Sequence, residues 1–183
     1  MVLELSSQQI ADISAHAEQV YPEECCGLMV GKIRRRTENA EQSDEIYKQI
    51  FELFPVLNQW ESGVGKKDPV SNVAFTKARR YQIDPKDMLQ VQIQAREKGL
   101  DILGIYHSHP DHDAEPSECD RTLAWPEYAY TIVSVRKGKA VDIQNWALDS
   151  DHRFQPEAIA EATTSETVTV SPSEHSPFSA KGR

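Results

Sequence analysis

The fold of this chain is decided by the stretch DILGIYHSHP at residues 101–110, which SECD follows at residues 117–120. The apolar residues between Asp101 and Tyr106 predict a buried strand, and two histidines come at its end. Side chains two positions apart in an extended segment point to the same face of a sheet. His107 and His109 therefore aim their imidazoles at one point, and we expect the rest of the fold to be organised around them.

These two histidines form a candidate metal site together with Asp120. The intervening loop has Pro110 and Pro116 near its ends, and it can fold back to bring the carboxylate to the imidazoles. Two imidazole nitrogens and one carboxylate oxygen, with a fourth position left to water, are the ligands of a catalytic rather than a structural zinc. Ser117 and Asp120 also match a helix capping box, a purely structural role that is compatible with metal binding.

Length and composition indicate one globular domain. The chain has 183 residues, 39% of them hydrophobic and 27% charged, with a mean hydropathy of -0.58. Its formal net charge of -9 argues against a nucleic-acid or anionic-membrane partner. We expect no signal peptide and no membrane span, and therefore a cytoplasmic protein. The three cysteines, two of them adjacent, do not make a disulfide framework.

Caps, breakers and apolar spacing predict the elements around the motif. Helices are predicted between Ser6 and Pro22, between Asp84 and Gly99, and between Ser117 and Pro126. Within an irregular insertion at residues 34–72, the apolar residues from Ile46 to Phe54 predict a short amphipathic helix that ends at Pro55. Besides the histidine strand, further strands are predicted at residues 25–30, 128–135 and 140–148, the last two joined as a hairpin.

The domain is predicted to span residues 1–156. From residue 157 to residue 183 the composition shifts to Ser, Thr, Glu, Ala and Pro, with almost no large apolar side chains. Such a segment buries too little surface to offset the entropy lost on ordering, so we expect a flexible tail.

The spacing His-x-His-Pro, six residues, Ser, two residues, Asp resembles the full signature of the JAMM (MPN-plus) zinc metalloproteases. The stretch PEECCGLMVG at residues 22–31 resembles the glutamate-bearing strand start of that family, and residues 5–150 are similar to its compact bacterial members. The resemblance implies an MPN/JAMM-like, cytidine-deaminase-like β-sheet flanked by helices in a single α/β (α+β) domain. It also implies one zinc ion per chain, held by His107, His109 and Asp120.

The resemblance implies two catalytic side chains as well. Zinc lowers the pKa of a bound water to about 7, and a general base must then carry the proton to the leaving amine. The base of the family is a glutamate just before the early strand, which matches Glu24, with Glu23 as the alternative. Ser117 matches the serine that hydrogen-bonds the oxyanion of the tetrahedral intermediate.

Substrates of the family are amide or isopeptide bonds at the Gly-Gly tail of ubiquitin-like or sulfur-carrier proteins, so such a protein is the implied partner; a homodimer is possible. The alternative is a non-catalytic MPN scaffold that binds other proteins, although that function normally goes with missing ligands. A nucleobase deaminase would need His-x-Glu and a later Pro-Cys-x-x-Cys, which do not occur. We expect Cys25 and Cys26 to be buried thiols and His112 to be exposed rather than a competing ligand.

Overall fold

The computed structural model describes residues 1–36, 45–61 and 76–162, which form an eight-stranded mixed sheet and three helices. The helices are α1 (Ser7–Val20), α2 (Pro85–Glu97) and α3 (Glu118–Leu123). The strands are β1 (Val2–Leu5), β2 (Cys26–Arg36), β3 (Glu45–Val56), β4 (Asp101–Pro110), β5 (Ala129–Arg136), β6 (Lys139–Leu148), β7 (Phe154–Pro156) and β8 (Ala158–Glu161). Among these described residues no helix is both long and apolar enough to cross a membrane.

The histidine strand β4 lies in the middle of the sheet, whose order is β7-β6-β5-β4-β2-β3-β1-β8. It pairs in antiparallel fashion with β2 and in parallel with β5. A strand with neighbours on both sides and a helix over each face is buried throughout, which explains its continuous apolar run. The two histidines therefore lie on a central strand that is hydrogen-bonded to a neighbouring strand on each side.

The sheet separates two hydrophobic clusters because alternate side chains of a strand point to opposite faces. On one face, Ile13 and Ala17 of α1 pack with Met29 of β2 and Leu103 of β4. On the other face, α2 packs against a second set of side chains, contributed by β2 and β4: Leu28, Val30 and Ile102. A β-sheet flanked by helices is therefore confirmed.

Each predicted helix start is confirmed by its cap. The hydroxyl of Ser6 accepts a hydrogen bond from the backbone N–H of Gln9, and Asp84 accepts one from the N–H of Lys86. Gly99 follows α2 with φ of 65°, a left-handed conformation that favours glycine and ends a helix. The third helix is shorter than predicted, since it ends at Leu123 and leaves Trp125 outside it.

The hairpin of β5 and β6 is also confirmed. It turns through Lys137 and Gly138, whose φ angles are 50° and 79°. Two consecutive positive φ values are the mark of a type I′ turn, whose twist matches that of the flanking strands.

The amphipathic helix predicted from Ile46 to Phe54 is wrong, because these residues lie in β3, which pairs with β2 along its length. Apolar residues four positions apart fit both a helix and one face of a strand, so their spacing could not decide. At Gly31 the register between β2 and β3 shifts, and a Cβ there would lie 1.9 Å from the carbonyl oxygen of Gln49. This bulge also disturbs the alternation that would have revealed a strand.

Beyond the predicted boundary at residue 156, Ala158–Glu161 form β8 beside β1. Residues 163–183 of the predicted tail, and residues 37–44 and 62–72 of the predicted insertion, lie outside the described residues. The strands at residues 25–30 and 101–106 are present and longer than predicted: β2 continues to Arg36, and β4 includes both histidines.

Candidate metal centre

The end of β4 and the start of α3 bring the three predicted ligands together. His107 and His109 face each other with their Nε2 atoms 3.1 Å apart. Asp120 places Oδ1 3.5 Å from Nε2 of His107 and Oδ2 3.6 Å from Nε2 of His109. All three side chains offer ligand atoms within 4.8 Å of one another.

These separations fit a tetrahedral metal ion. Ligand atoms 2.0–2.1 Å from a tetrahedral centre lie about 3.3 Å apart, which falls inside the observed range of 3.1–3.6 Å. Two imidazoles and one carboxylate supply three of the four positions, so the donor set matches a catalytic zinc with one position open. With no cation between them, the two nitrogen lone pairs and the carboxylate would repel one another at these distances. Only a proton shared among them could then hold them together.

The rings of both histidines are fixed by their surroundings. Nδ1–H of His109 donates to the backbone carbonyl of Asp113 at 2.9 Å, which leaves Nε2 with the lone pair that a metal needs. The ring of Tyr81 stacks on that of His107 with 4.5 Å between their centroids. Nδ1 of His107 is buried and has no hydrogen-bond partner among the described residues.

The electrostatics of the cluster favour a bound cation. Burial lowers the pKa of His107 to about 4, so its ring stays neutral and can act as a ligand. Burial disfavours the protonated form of His109, but the contact with Asp120 outweighs it and raises the pKa of that ring. Burial also disfavours ionised Asp120, yet the two histidines and Ser117 lower its pKa well below the ordinary value. The carboxylate is therefore ionised across the physiological range.

Glu24 lies beside His109 because of the register between β2 and β4. Cys26, the first residue of β2, pairs with His107 in the antiparallel ladder. The two residues before Cys26 therefore run toward His109. The Ser108 hydroxyl accepts from the backbone N–H of Cys25 at 2.9 Å, and the N–H of Ser108 donates to the carbonyl of Cys25 at 3.2 Å. Glu24 is thus pinned at the start of the strand.

Glu24 and Glu23 differ sharply in environment. Glu24 is only 5% exposed, and this burial raises its pKa to about 8. Glu23 is exposed and lies outside the cavity that contains His109. Of the two carboxylates left open by the sequence, only Glu24 shares a cavity with a candidate ligand.

The side chain of Asn58 holds the backbone around Glu24. Its Nδ2 donates to the carbonyl oxygens of Glu24 and Arg80 at 3.0 and 2.9 Å. Its Oδ1 accepts from the N–H groups of Trp60 and Gln82 at 2.9 and 3.2 Å. In addition, the N–H of Glu24 donates to the carbonyl of Lys77 at 2.7 Å. All hydrogen-bonding positions of this buried amide are used.

Ser117 is the N-cap of α3 and lies against Asp120. Its hydroxyl oxygen accepts from the N–H of Asp120 at 3.2 Å, and its own N–H donates to Oδ2 of Asp120 at 2.6 Å. The capping box predicted from the sequence is confirmed, and it orients the carboxylate toward the histidines. The Ser117 hydroxyl accepts from the Asp120 N–H and also hydrogen-bonds the carboxylate of Asp120, which helps to lower the pKa of that acid.

One cavity of about 310 Å³ joins these groups. We call it the site cavity; its lining residues include Glu24, His109 and Ser117, together with Arg79 and Arg80. Nothing in the sequence pointed to Asn58, Arg79, Arg80 or Tyr81, because they lie in or beside irregular segments and reach the site through contacts distant in sequence. For Arg79, Arg80 and Tyr81, the polar stretch just before the Asp84 cap is the one sequence feature that could have drawn attention to them.

The rival ligands behave as expected. Cys25 and Cys26 are buried, and burial raises the pKa of their thiols to about 11 and about 12, so they remain protonated at neutral pH. His112 is exposed on the loop after β4 and does not belong to the ligand cluster of the described residues.

Comparisons with known proteins identify the family. The family model described as prokaryotic homologs of the JAB domain matches residues 6–149. A desampylase from Haloferax volcanii is 43% identical over 67 residues, an alignment that covers 36% of this chain and 48% of that protein. This chain therefore matches only about half the length of that curated relative.

Two further relatives are similar over most of the chain. A CysO-cysteine peptidase from Mycobacterium tuberculosis is 25% identical over 148 residues, covering 80% of this chain and 83% of that protein. A solution structure of a protein from Desulfitobacterium hafniense superposes with a TM-score of 0.63 at 26% identity, covering 88% of this chain and 93% of that one. As the resemblance to JAMM (MPN-plus) proteins predicted, this chain belongs to the prokaryotic homologs of the JAB domain.

Proposed function

We propose that this protein is a zinc-dependent metallopeptidase that hydrolyses an amide or isopeptide bond at the Gly-Gly tail of a ubiquitin-like or sulfur-carrier protein. The observation that supports the activity is the cluster of His107, His109 and Asp120, whose member His109 shares a cavity with Glu24 and Ser117. The substrate class is supported by the names of the relatives, a desampylase and a CysO-cysteine peptidase.

His107, His109 and Asp120 would hold the zinc, one ion per chain. When bound, the ion would polarise the scissile carbonyl and make a water nucleophilic at neutral pH. The chain's own contribution is to hold the ligands rigidly: the His109 ring is fixed by its hydrogen bond to Asp113, and the His107 ring by stacking on Tyr81.

Glu24 is the proposed general base. Its carboxylate lies in the same cavity as His109 and its backbone is held on both sides. Burial raises its pKa, but the charge of a bound cation would favour the ionised form, which can take a proton from the attacking water and deliver it to the leaving amine. Ser117 is the proposed oxyanion donor, because it lines the same cavity as His109 and Glu24 and carries a hydroxyl that can donate a hydrogen bond.

The test is to compare Glu24→Gln with Glu23→Gln. Both changes remove one carboxylate, and the two residues are neighbours in sequence, but only the first carboxylate lies in the site cavity. We expect Glu24→Gln to lower kcat by about 10²–10⁴-fold with one zinc per chain still bound, and Glu23→Gln to retain activity. The reverse result would assign the base to Glu23.

The activity itself is tested by incubating the zinc-loaded protein with Gly-Gly-tailed carriers, with and without a chelator, and reading the products by mass spectrometry. Cleavage that the chelator abolishes supports the proposal. A protein that binds no zinc and cleaves no carrier would instead support the non-catalytic scaffold.

Three further predictions stay proposals. A cytoplasmic location is proposed from the buried, protonated thiols of Cys25 and Cys26, which suit a reducing compartment. The catalytic domain is proposed to comprise the described sheet and helices, including β8. The homodimer remains an untested prediction, to be checked by light scattering of the purified protein.

A further inference from the structure

The loop that joins β4 to α3 presents a row of backbone carbonyls to side chains. Each of the four carbonyls of residues 111–114 accepts a hydrogen bond from a side chain; the donors, in that order, are Arg136, Ser134, His109 and Trp146. Loops run over the surface of a protein, where water can satisfy their carbonyls, so four side-chain donors in a row indicate a segment that is held in place. We call residues 111–114 the ligand loop, because they lie between His109 and the helix that carries Asp120.

The third carbonyl of the ligand loop contacts a candidate metal ligand. It belongs to Asp113 and accepts from Nδ1–H of His109 at 2.9 Å, so the lone pair of that ring is on Nε2, the atom that faces His107 and Asp120. Nδ1 of His107 has no hydrogen-bond partner among the described residues. Of the two ligand imidazoles, His109 is therefore the one whose tautomer the described contacts fix, and that tautomer depends on where this carbonyl stands.

The carbonyls just before and just after that of Asp113 are held by β5 and β6. Ser134, which is 2% exposed, pairs with His109 in the parallel ladder of β4 and β5, and its hydroxyl donates to the preceding carbonyl at 2.6 Å. The indole N–H of Trp146 on β6 donates to the following carbonyl, that of Ala114, at 2.9 Å. With both neighbours held, the carbonyl of Asp113 has little freedom to turn away from the imidazole.

The start of the ligand loop is held by weaker contacts. Asp111 has a φ of 57°, and its carbonyl accepts from Arg136, which also pairs with the carboxylate of Asp113. The side chains of this pair are 43% and 80% exposed, and exposed ion pairs contribute little to stability. The hydrogen bonds of Ser134 and Trp146 are better shielded from water, so we assign the holding of the Asp113 carbonyl to them.

We propose that Ser134 and Trp146 are positioning residues of the metal centre. They hold the ligand loop so that the carbonyl of Asp113 keeps His109 in the tautomer that binds a metal ion, and they thereby raise the affinity for zinc. This inference rests on the metal centre of the proposed function and adds two residues from outside its ligand set. Removing a hydrogen-bond partner of a ligand typically weakens metal binding about 10–100-fold. Because Ser134 and Trp146 act through that partner, the lower end of this range is expected.

The experiment measures the zinc affinity of the full chain by competition with a chelator of known affinity, at a temperature where every variant is fully folded. We expect the dissociation constant to rise about tenfold in Ser134→Ala and in Trp146→Phe, with one ion per chain still bound at saturation. The second change keeps an aromatic ring and removes only the N–H donor. Ser134→Thr keeps the hydroxyl and should retain the wild-type affinity.

A second measurement reports on the ligands themselves. The visible absorption of cobalt(II) bound in place of zinc depends on the identity and geometry of the ligands, so its bands should shift or weaken in Ser134→Ala and in Trp146→Phe. A residue that only supports the fold would leave this spectrum unchanged. The two variants are independent, so either one that folds decides the question.

The matched control is Ser14→Ala in α1. The hydroxyl of Ser14 also donates to a backbone carbonyl, that of Ile10, at 2.8 Å, so this change removes the same kind of hydrogen bond away from the ligand loop. It should keep the wild-type zinc affinity and cobalt spectrum. Wild-type affinity and spectrum in the folded Ser134→Ala and Trp146→Phe variants would overturn this inference and leave the peptidase proposal standing. A wild-type protein that binds no zinc would overturn both.

Discussion

The side-chain amide of Asn58 donates to the carbonyl oxygen of Glu24 at 3.0 Å, across 34 residues of sequence. The same amide holds the segments around Trp60, Arg80 and Gln82, so one buried side chain ties the proposed base to the segment that contributes Arg80 to the cavity. A residue far from the reacting atoms in sequence thus determines where the carboxylate stands.

Asn58→Ala should therefore impair catalysis more than binding. Loss of the amide leaves buried backbone groups without partners, which costs about 1–3 kcal/mol in the free energy of unfolding. A displacement of Glu24 by about 1 Å would lower kcat about 10²-fold with a smaller change in KM. Steady-state kinetics and zinc content should be measured on protein shown to be folded by circular dichroism.

The control for this change is Gln59→Ala. The side chain of Gln59 is exposed, and the substitution keeps its backbone N–H, which donates to the carbonyl of Gln82. It should keep both stability and kcat. An Asn58→Ala variant with the wild-type kcat would show that the base does not depend on this amide.

Ser117→Ala should lower kcat by about 10²–10³-fold through loss of the oxyanion donor, and should weaken the cap of α3 by about 1 kcal/mol. Ser6→Ala is a matched control, because Ser6 forms the same capping box with Gln9 at the start of α1, far from the cavity. It should cost similar stability with no change in kcat. Ser117→Thr keeps the hydroxyl and should retain most of the activity. Equal losses of kcat in the Ser6→Ala and Ser117→Ala variants would show that Ser117 acts only as a helix cap.

Metal binding should stabilise the fold as well as activate it. A zinc concentration 100 times the dissociation constant adds about 2.7 kcal/mol to the free energy of unfolding, and a chelator should remove this together with the activity. His107→Ala should abolish the thermal shift on adding zinc, whereas His112→Ala, which changes an exposed loop histidine, should keep it. Loss of the thermal shift in His112→Ala would show instead that His112 is a metal ligand.

Lys48 and Glu157 form a buried ion pair that should govern stability at high pH. Their side chains are 1% and 4% exposed and their charged atoms lie 3.7 Å apart, while Glu157 also accepts from Asn145 at 2.8 Å. Removing one partner of such a pair typically costs about 3–5 kcal/mol, so Glu157→Gln should be strongly destabilising. Adding Lys48→Met should recover most of that loss, as a double-mutant cycle in denaturant would show.

The sign of the pH effect follows from the pKa of Lys48. Burial lowers this pKa in the folded protein, and Glu157 only partly opposes the shift. As pH falls through the ordinary lysine pKa toward the lower folded value, the unfolded chain binds the proton first, so Lys48 makes folding less stable in that window. The stability contributed by this group should therefore rise with pH there. A Lys48→Met variant with the same pH slope as the wild type would contradict this.

Local sequence signals predicted the parts of the fold that depend on neighbours in the chain. The Ser6 and Asp84 caps and the Lys137-Gly138 turn each need only a few adjacent residues, and all three are present. The cluster of His107, His109 and Asp120 could also be predicted from the sequence. The end of β4 positions the two histidines, and the cap of α3 positions the aspartate.

The sequence could not predict features that depend on distant partners. The apolar spacing of β3 fits both a helix and a strand, and only its pairing with β2 decides between them. Asn58, Arg79 and Tyr81 reach the site across tens of residues, and no local pattern marks an asparagine that will satisfy four backbone groups.

The pairing of β1 with β8 has a consequence for how the protein is made. Residues 2–5 and 158–161 lie side by side in parallel, although they are the first and last strands of the described chain. During synthesis, β1 leaves the ribosome long before the strand that completes its edge, and Lys48 is made 109 residues before its counter-charge on Glu157. This edge of the sheet can therefore close only after residues 158–161 have been made, and a nascent chain arrested before residue 157 would expose an unpaired edge that a chaperone could bind.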